Sequence, residues 1–287
     1  MAGVALLTGA TGFVGRQTAR ALAQDGVALR LVVRPKHART ARAMDGVEQV
    51  ITTPDLFLEP SEWWKNACHG VDMVVHLAWY AEPGKYLTSP LNLDCLTGTL
   101  AMAKGAISAR VRRFVGIGTC FEYDLGGAQD IDVTTPLAPT TPYAAAKAAA
   151  FVALSGILPQ AGMEFAWCRL FYLFGAGEDR RRLVPYLHAQ LGNGLPADLT
   201  TGYQLRDFLD VAAAGRKLAD ASQSAVQGPV NICSGQALSV RALAERIADQ
   251  YGRRDLLNFG ARPDNLVDPA RVVGIPTPIT PNREDAR

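Results

Sequence analysis

Within its first fifteen residues the chain sets a short apolar run, Val4 to Thr8, directly against a loop with glycines at 9, 12 and 15. The helical stretch "RQTARALAQD" follows and stops at Gly26, and a second apolar run occupies Val27 to Val33. A strand, a glycine turn, a helix and another strand within about thirty residues make a βαβ unit. Few folds accept that start. Parallel strands need a crossover, and the crossing helix must be answered by others until both faces of the sheet are covered. Each glycine has its own task. Gly9 permits a tight turn, Gly12 lets the backbone approach a pyrophosphate on the positive end of the helix, and Gly15 lets helix and strand lie close. The unit is expected to bind a dinucleotide.

The pattern continues. Residues 46–52, 71–78 and 111–119 read as strands, with "PSEWWKNACHG" and "LNLDCLTGTLAMAKGAIS" as helices between them. Alternation of this kind predicts an α/β fold with a Rossmann-type, doubly wound parallel sheet and a ligand at the carboxyl ends of its strands. The end of the second strand reads "VVRPKHAR", with Arg34 where an acidic residue would serve the adenosine ribose hydroxyls of NAD. A guanidinium suits a 2′-phosphate through forked, charge-assisted bonds, with Lys36 and Arg39 close behind. NADP(H) is therefore the expected cofactor and NAD(H) the alternative; a solvated basic loop is the competing reading of the same residues.

Composition removes other classes. With 29 basic and 27 acidic residues the formal charge is +2, which predicts neither a nucleic-acid nor a membrane surface. The five cysteines are scattered, without a CxxC pair or partner histidines at zinc spacing, so reduced thiols and no metal site are expected. The apolar N-terminus lacks a basic leader and is broken by glycine, so a cytoplasmic location is expected.

In "TPYAAAKAAAF", Tyr143 and Lys147 interrupt an alanine helix four residues apart and project from one face. Taken alone the pair reads as one packed and one solvated side chain. Together with "TGATGFVG", "VVHLAW", "FVGIGT", "NLDCLTGT", "RDFLDV" and "PVNICSGQALSVRALAERIA", in order over residues 3 to 250, it resembles the extended short-chain dehydrogenase/reductases, and among them the sugar-nucleotide epimerases, dehydratases and ketoreductases. The resemblance implies that Tyr143 is the general acid/base, that Lys147 lowers its pKa and binds the nicotinamide ribose, and that Thr119 hydrogen-bonds the reacting oxygen. A phenol of ordinary pKa near 10 does need a cation beside it to work at neutral pH. The cofactor contacts expected are Gly9, Thr11, Gly12, Phe13, Val14, Gly15, Arg34, Asp55, Leu56, Leu77, Ala78 and Asn92, with Tyr143 and Lys147.

Departures from the family pattern narrow the chemistry. Dehydratases follow the threonine with an Asp-Glu pair; Cys120 and Phe121 stand there, and Glu122 falls one place beyond. Dehydration is therefore not expected. Cys120 is either an inert strand-end thiol or a proton carrier at the substrate. Tyr172 replaces the asparagine of the family's R-x-x-N-x-x-G, and the acidic residue usual after RDF-x-x-V is missing from "DVAAAG". Arg206 matches an arginine that grips the substrate diphosphate, with Arg180 to Arg182 as possible help.

The expected organisation is a cofactor domain over residues 1–163 and a smaller substrate-binding lobe over 164–287, from which sheet elements return near 203–211 and 229–250. The tail is expected to be irregular after Gly274. The most favoured activity is NADP(H)-dependent reduction of a 4-keto-6-deoxy sugar on a nucleoside diphosphate. An NAD-dependent 4-epimerase, a reductase of a non-sugar carbonyl and a non-catalytic NADP sensor are the alternatives, and a homodimer through the helices of "LNLDCLTGT" and "YAAAK" is the expected assembly.

Overall fold

The computed structural model describes residues 3–127, 129–265 and 268–280. Strands β1 (Val4–Thr8), β2 (Ala28–Val33), β3 (Val47–Thr52), β4 (Met73–His76), β5 (Arg113–Thr119) and β6 (Glu164–Leu170) alternate with helices α1 (Phe13–Gln24), α2 (Ala38–Arg42), α3 (Ser61–Ala67), α4 (Leu91–Ser108) and α5 (Pro142–Gln160). Beyond them come β7 (Tyr172–Phe174), α6 (Leu183–Gly192), β8 (Ala197–Leu199) and β9 (Leu205–Asp210). The order then runs α7 (Val211–Ser222), β10 (Gly228–Ile232), β11 (Ala237–Ser239), α8 (Val240–Asp249), β12 (Leu257–Phe259) and β13 (Arg271–Val272).

Seven parallel strands form one sheet in the order β10-β6-β5-β4-β1-β2-β3. Chain order reverses between β1 and β4, and a crevice opens at such a switch point. Every residue of β4 and β5 is buried. A strand covered on both faces needs a run of buried side chains rather than alternation. One core, with Leu7, Leu29, Val75, Val115 and Leu218, lies under α1 and α7. The other, with Leu6, Trp64, Phe114, Leu154 and Trp167, lies under α3, α4 and α5. Helix α5 is long and apolar enough to cross a membrane by composition. It is a core helix nonetheless, with Ala150, Leu154 and Leu158 buried in the second core.

The expected α/β fold with a Rossmann-type sheet is what the chain forms. Its division differs from the expected one. β6 is an interior strand of the large sheet, β10 pairs beside it, and α7 covers that sheet. The run "FAWCRL" is buried almost throughout, so it belongs to the core and not to a lobe. Residues 203–211, expected to return to the sheet, instead supply β9 of a smaller one, which joins β7, β11 and β13. Of residues 229–250 only β10 returns; β11 and α8 stay with α6, β8 and β12 around a third core. Helix α1 starts at Phe13 rather than Arg16, which makes Gly12 its N-cap. Residues 275–280 are irregular as expected, yet tied down: Ile275 N donates to Ile131 O and Thr277 N to Asn231 O. The last seven residues lie outside the described ones.

Candidate active site

A cleft of about 1210 Å3 runs across the carboxyl ends of β1, β2, β4, β5 and β6. Gly9, Thr11, Gly12, Phe13, Val14, Gly15, Arg34, Asp55, Leu56, Leu77 and Ala78 border one part of it. Thr119, Cys120, Tyr143, Lys147, Tyr172 and Arg206 border the rest. Residues up to 197 positions apart thus meet in one space.

The glycine loop is built for an anion. Gly9 has φ +71°, and a Cβ there would lie 2.8 Å from Ala78 N. A Cβ on Gly15 would lie 2.1 Å from the Gly9 carbonyl oxygen, so the helix approaches as closely as only glycine allows. The Gly12 N-cap has no side-chain cap bond, and no acidic residue stands in the first turn of α1. The N–H groups of that turn are left for a ligand, in the dipole's favourable direction. Arg34, exposed, follows directly on β2 at the cleft's far end, and Asp55 caps the next turn by accepting from Phe57 N at 2.9 Å. These residues fit a dinucleotide.

Behind the loop, His76 Nδ1 lies 2.8 Å from Thr8 Oγ1 and Nε2 lies 2.9 Å from Thr99 Oγ1. Thr99 Oγ1 donates to Cys95 O and Thr8 Oγ1 accepts from Ala78 N, so a neutral His76 protonated on Nε2 satisfies every member. Burial, helped by the Lys147 charge, holds its pKa down to about 3. It bolts β1, β4 and α4 together and does not line the cleft.

Thr119 ends β5 and caps the turn Cys120–Glu122, its Oγ1 accepting from Phe121 N at 3.3 Å while the Glu122 carboxylate accepts from Thr119 N at 2.8 Å. Tyr143 and Cys120 border the cleft together with Thr119. Thr141 caps α5 with Pro142 in its first turn, and Tyr143 N donates to Leu87 O at 3.1 Å. Burial pushes the Tyr143 phenol well above its ordinary 10, and pushes the Cys120 thiol up to about 12.

Lys147, on the same face of α5, is 3% exposed. Its ammonium donates to Ile117 O and lies 3.8 Å from the centroid of the Trp79 ring. Burial lowers its pKa to about 7, against the opposing pull of Glu122 and Cys95. Lys147 does not offset the burial of the Tyr143 phenol in this arrangement. Desolvation dominates at Tyr143, and the ammonium is engaged by a carbonyl and an indole instead.

Asn92 departs from its expected place as well. It is buried off the cleft, its amide donating to Tyr86 O and Ser89 O and its oxygen accepting from Trp79 Nε1 at 2.8 Å. Every polar atom of that side chain is used to hold the loop that follows β4. Glu122, set aside as a dehydration acid, is fully buried and accepts from Arg169 Nε at 2.7 Å and Trp167 Nε1 at 3.1 Å. On the substrate side, Arg206 is 2% exposed, sits 5.3 Å from the Tyr172 ring and pairs with Asp268 at 2.6 Å. Arg182 borders the cleft; Arg180 and Arg181 do not.

Sequence reading missed Trp79, Tyr86 and Glu178, which also border the cleft. Tyr86 meets Tyr143 edge-on at 4.8 Å between centroids. The aromatic cluster "AWYAEPGKY" behind the fourth strand was the available signal.

A parallel sheet with an uncapped glycine loop at its switch point, and a Thr-Tyr-Lys set along the same cleft, defines a short-chain oxidoreductase architecture. The profile of the NAD dependent epimerase/dehydratase family matches residues 5–233, and the chain belongs to that family, enzymes of the extended short-chain dehydrogenase/reductase type. It is 24% identical over 277 residues to the dTDP-6-deoxy-L-talose 4-dehydrogenase (NAD(+)) of Aggregatibacter actinomycetemcomitans, covering 93% of this chain and 95% of that one. Among solved structures, the UDP-N-acetylglucosamine 4-epimerase of Methanobrevibacter ruminantium M1 superposes with a TM-score of 0.86 at 18% identity, covering 99% of this chain and 94% of the other. The dTDP-glucose 4,6-dehydratase DesIV of Streptomyces venezuelae does so with 0.80 at 20% identity, covering 95% and 88%. These structural likenesses concern the fold.

Proposed function

We propose that this enzyme reduces a 4-keto-6-deoxy sugar carried on a nucleoside diphosphate, using NADP(H), with Tyr143 as the proton donor. One observation carries the reading: Thr119, Tyr143 and Lys147 border the same cleft as the uncapped glycine loop. A bound nicotinamide would supply the hydride. Thr119 orients the substrate oxygen, and Tyr143, which burial keeps protonated, gives it a proton. Lys147, one turn further along α5, would meet the nicotinamide ribose.

Other features support the choice among reactions. Glu122 is locked beneath β5 by Arg169 and Trp167, so it is not free to serve as the acid in an elimination of water. Cys120, with its thiol pushed up to about 12, does not serve as a thiolate base. The relative from Aggregatibacter is named as a dehydrogenase at a sugar 4-position, which fits this assignment although that protein uses NAD(+). Arg34 without an acidic neighbour at the end of β2 supports NADP(H), with NAD(H) as the second possibility. Arg206 and Tyr172 would face the substrate, the guanidinium toward its diphosphate.

A 4-epimerase is the alternative, since the same Thr-Tyr-Lys set can oxidise and then reduce one carbon, and the Methanobrevibacter neighbour is an epimerase. A non-sugar carbonyl substrate and a non-catalytic sensor stand behind it. Leu93, Val152 and Ile157 are exposed on α4 and α5, which supports a homodimer through those helices; a monomer in sedimentation would remove that assembly. A cytoplasmic location agrees with five free cysteines. The deciding experiment is to release and identify the cofactor that co-purifies, then to offer 4-keto-6-deoxy sugar nucleotides with NADPH and NADH. A tightly held NAD and interconversion of 4-epimers without added reductant would replace reductase by epimerase.

A further inference from the structure

The loop after β4 touches both members of the Tyr-Lys pair, and it does so through aromatic rings. The indole of Trp79 lies under the Lys147 ammonium at 3.8 Å from its centroid, and its ring centroid is 6.5 Å from that of Tyr143. Its Nε1–H is committed to Asn92 Oδ1 at 2.8 Å. Asn92 in turn donates to Tyr86 O at 2.7 Å and to Ser89 O at 2.9 Å, and the Tyr86 ring meets Tyr143 edge-on at 4.8 Å. The loop closes on α5 when Tyr143 N donates to Leu87 O at 3.1 Å.

We propose that Trp79 is a positioning residue of this active site: its indole face seats the Lys147 ammonium, and its N–H, through Asn92, ties that seat to the segment whose Tyr86 ring braces Tyr143. The proposal rests on the reading of Tyr143 and Lys147 as the working pair, and extends it to the residue that sets their relation.

Physical chemistry requires such a seat. Lys147 is 3% exposed, so water does not solvate its charge, and one carbonyl oxygen, that of Ile117 on β5, is its hydrogen-bond acceptor. The groups facing it from the surrounding elements are few. Glu122 beyond β5 is already paired with Arg169, Cys95 on α4 is a buried thiol, His76 on β4 is neutral, and Tyr143 on α5 keeps its proton. The Trp167 ring on β6 lies farther away, at 5.8 Å. The negative face of the Trp79 ring is the nearest remaining source of favourable charge, and tryptophan supplies the strongest cation–π attraction of the aromatic residues. A hydrogen bond on the indole N–H fixes the plane on which that attraction depends.

The seat also has a consequence for proton transfer. Without the ring, the ammonium loses stabilisation and Lys147 gives up its proton at lower pH. Any step that needs the ammonium is intact below that point and lost above it, so the alkaline limb of activity should move to lower pH.

The test uses full-length protein labelled at lysine Cε with carbon-13, the Lys147 resonance being identified by its loss in Lys147→Met. In the wild type the resonance should titrate near pH 7, the value at which burial leaves this group. In Trp79→Leu the midpoint should fall by about one pH unit, a roughly tenfold loss of ammonium at fixed pH, on the scale of a desolvated cation–π contact. Trp79→Phe keeps a weaker ring and should fall by less, and it remains informative if the leucine variant does not melt cooperatively. The alkaline limb of kcat should shift in parallel. An unchanged Lys147 titration in a folded Trp79 variant overturns the proposal, as does a uniform loss of kcat with no change in its pH profile. A shifted titration in an enzyme that turns over no sugar nucleotide would keep the seat and remove the substrate reading instead.

Discussion

Glu122 offers the sharpest separation between a structural and a chemical carboxylate. It is fully buried, and its two oxygens receive Arg169 Nε at 2.7 Å, Thr119 N at 2.8 Å and Trp167 Nε1 at 3.1 Å. Arg169 is 1% exposed, so Glu122→Ala strands a buried guanidinium, at about 3–5 kcal/mol for a broken buried pair. The orphaned Thr119 and Trp167 N–H groups add about 1–3 kcal/mol each, less than additively. Against a total stability of roughly 5–15 kcal/mol, the alanine variant should be barely folded. Glu122→Gln keeps the shape but not the charge, and should cost about 1.5–3 kcal/mol, the scale of hydrogen bonds to charged groups. At roughly 2–4 °C per kcal/mol that lowers the melting temperature by roughly 3–12 °C. Replacing both partners, as in Glu122→Met with Arg169→Met, should recover much of the alanine loss, because apolar groups of similar volume can replace a buried ion pair. Thermal melts and urea titrations of the four proteins read the effect. A Glu122→Gln enzyme as stable as the wild type but inactive would refute this account and return Glu122 to the chemistry.

Tyr143→Phe should leave the fold and cofactor affinity nearly unchanged while turnover falls roughly a hundredfold to ten-thousandfold, the scale of one positioned acid; near wild-type turnover would end the catalytic reading. Arg34→Asp should weaken NADPH binding by about 1.5–3 kcal/mol and NADH binding far less, as titration calorimetry would show; equal losses would make the arginine a support of its loop. Arg206→Ala should raise the Michaelis constant for a nucleotide-linked sugar and spare cofactor binding, and an unchanged constant would sink its diphosphate role. Lys147→Met should stabilise the cofactor-free protein most well below pH 7, where the buried ammonium is fully charged, and the gain should fade as pH rises from about 7 toward the ordinary lysine pKa of 10.5; melting curves between about pH 5 and 10.5 would check the sign.

The parts of this fold that local chemistry dictates were legible in the sequence. The spacing of Gly9, Gly12 and Gly15 has one good structural use, and the loop adopts it, down to the left-handed φ of Gly9 and the carbonyl against which Gly15 rests. The four-residue spacing of Tyr143 and Lys147 does put both at the cleft. Long-range partnership was not legible. The "FAWCRL" run reads as a strand, but its place inside the large sheet depends on pairing with Arg113–Thr119 on one side and Gly228–Ile232 on the other. The role of Asn92 could not be separated from a cofactor contact, because only the folded loop brings Trp79 Nε1 to its oxygen. The protonation of Tyr143 depends in the same way on burial, which no spacing reveals.

The burial of the phenol bears on proton transfer in either direction. A phenol assisted by a nearby cation leans toward phenolate, the form that accepts a proton when an alcohol is oxidised and the form left behind when a ketone is reduced. In this cleft desolvation holds the phenol above its ordinary pKa, so whichever way the proton moves, the charged form needs a cation beside it. Lys147, brought down to about 7, is charged in part at neutral pH and contributes its full charge only on the acidic side. Reduction and oxidation of one carbon pass through the same arrangement of these two groups, so loss of the lysine charge should slow both alike.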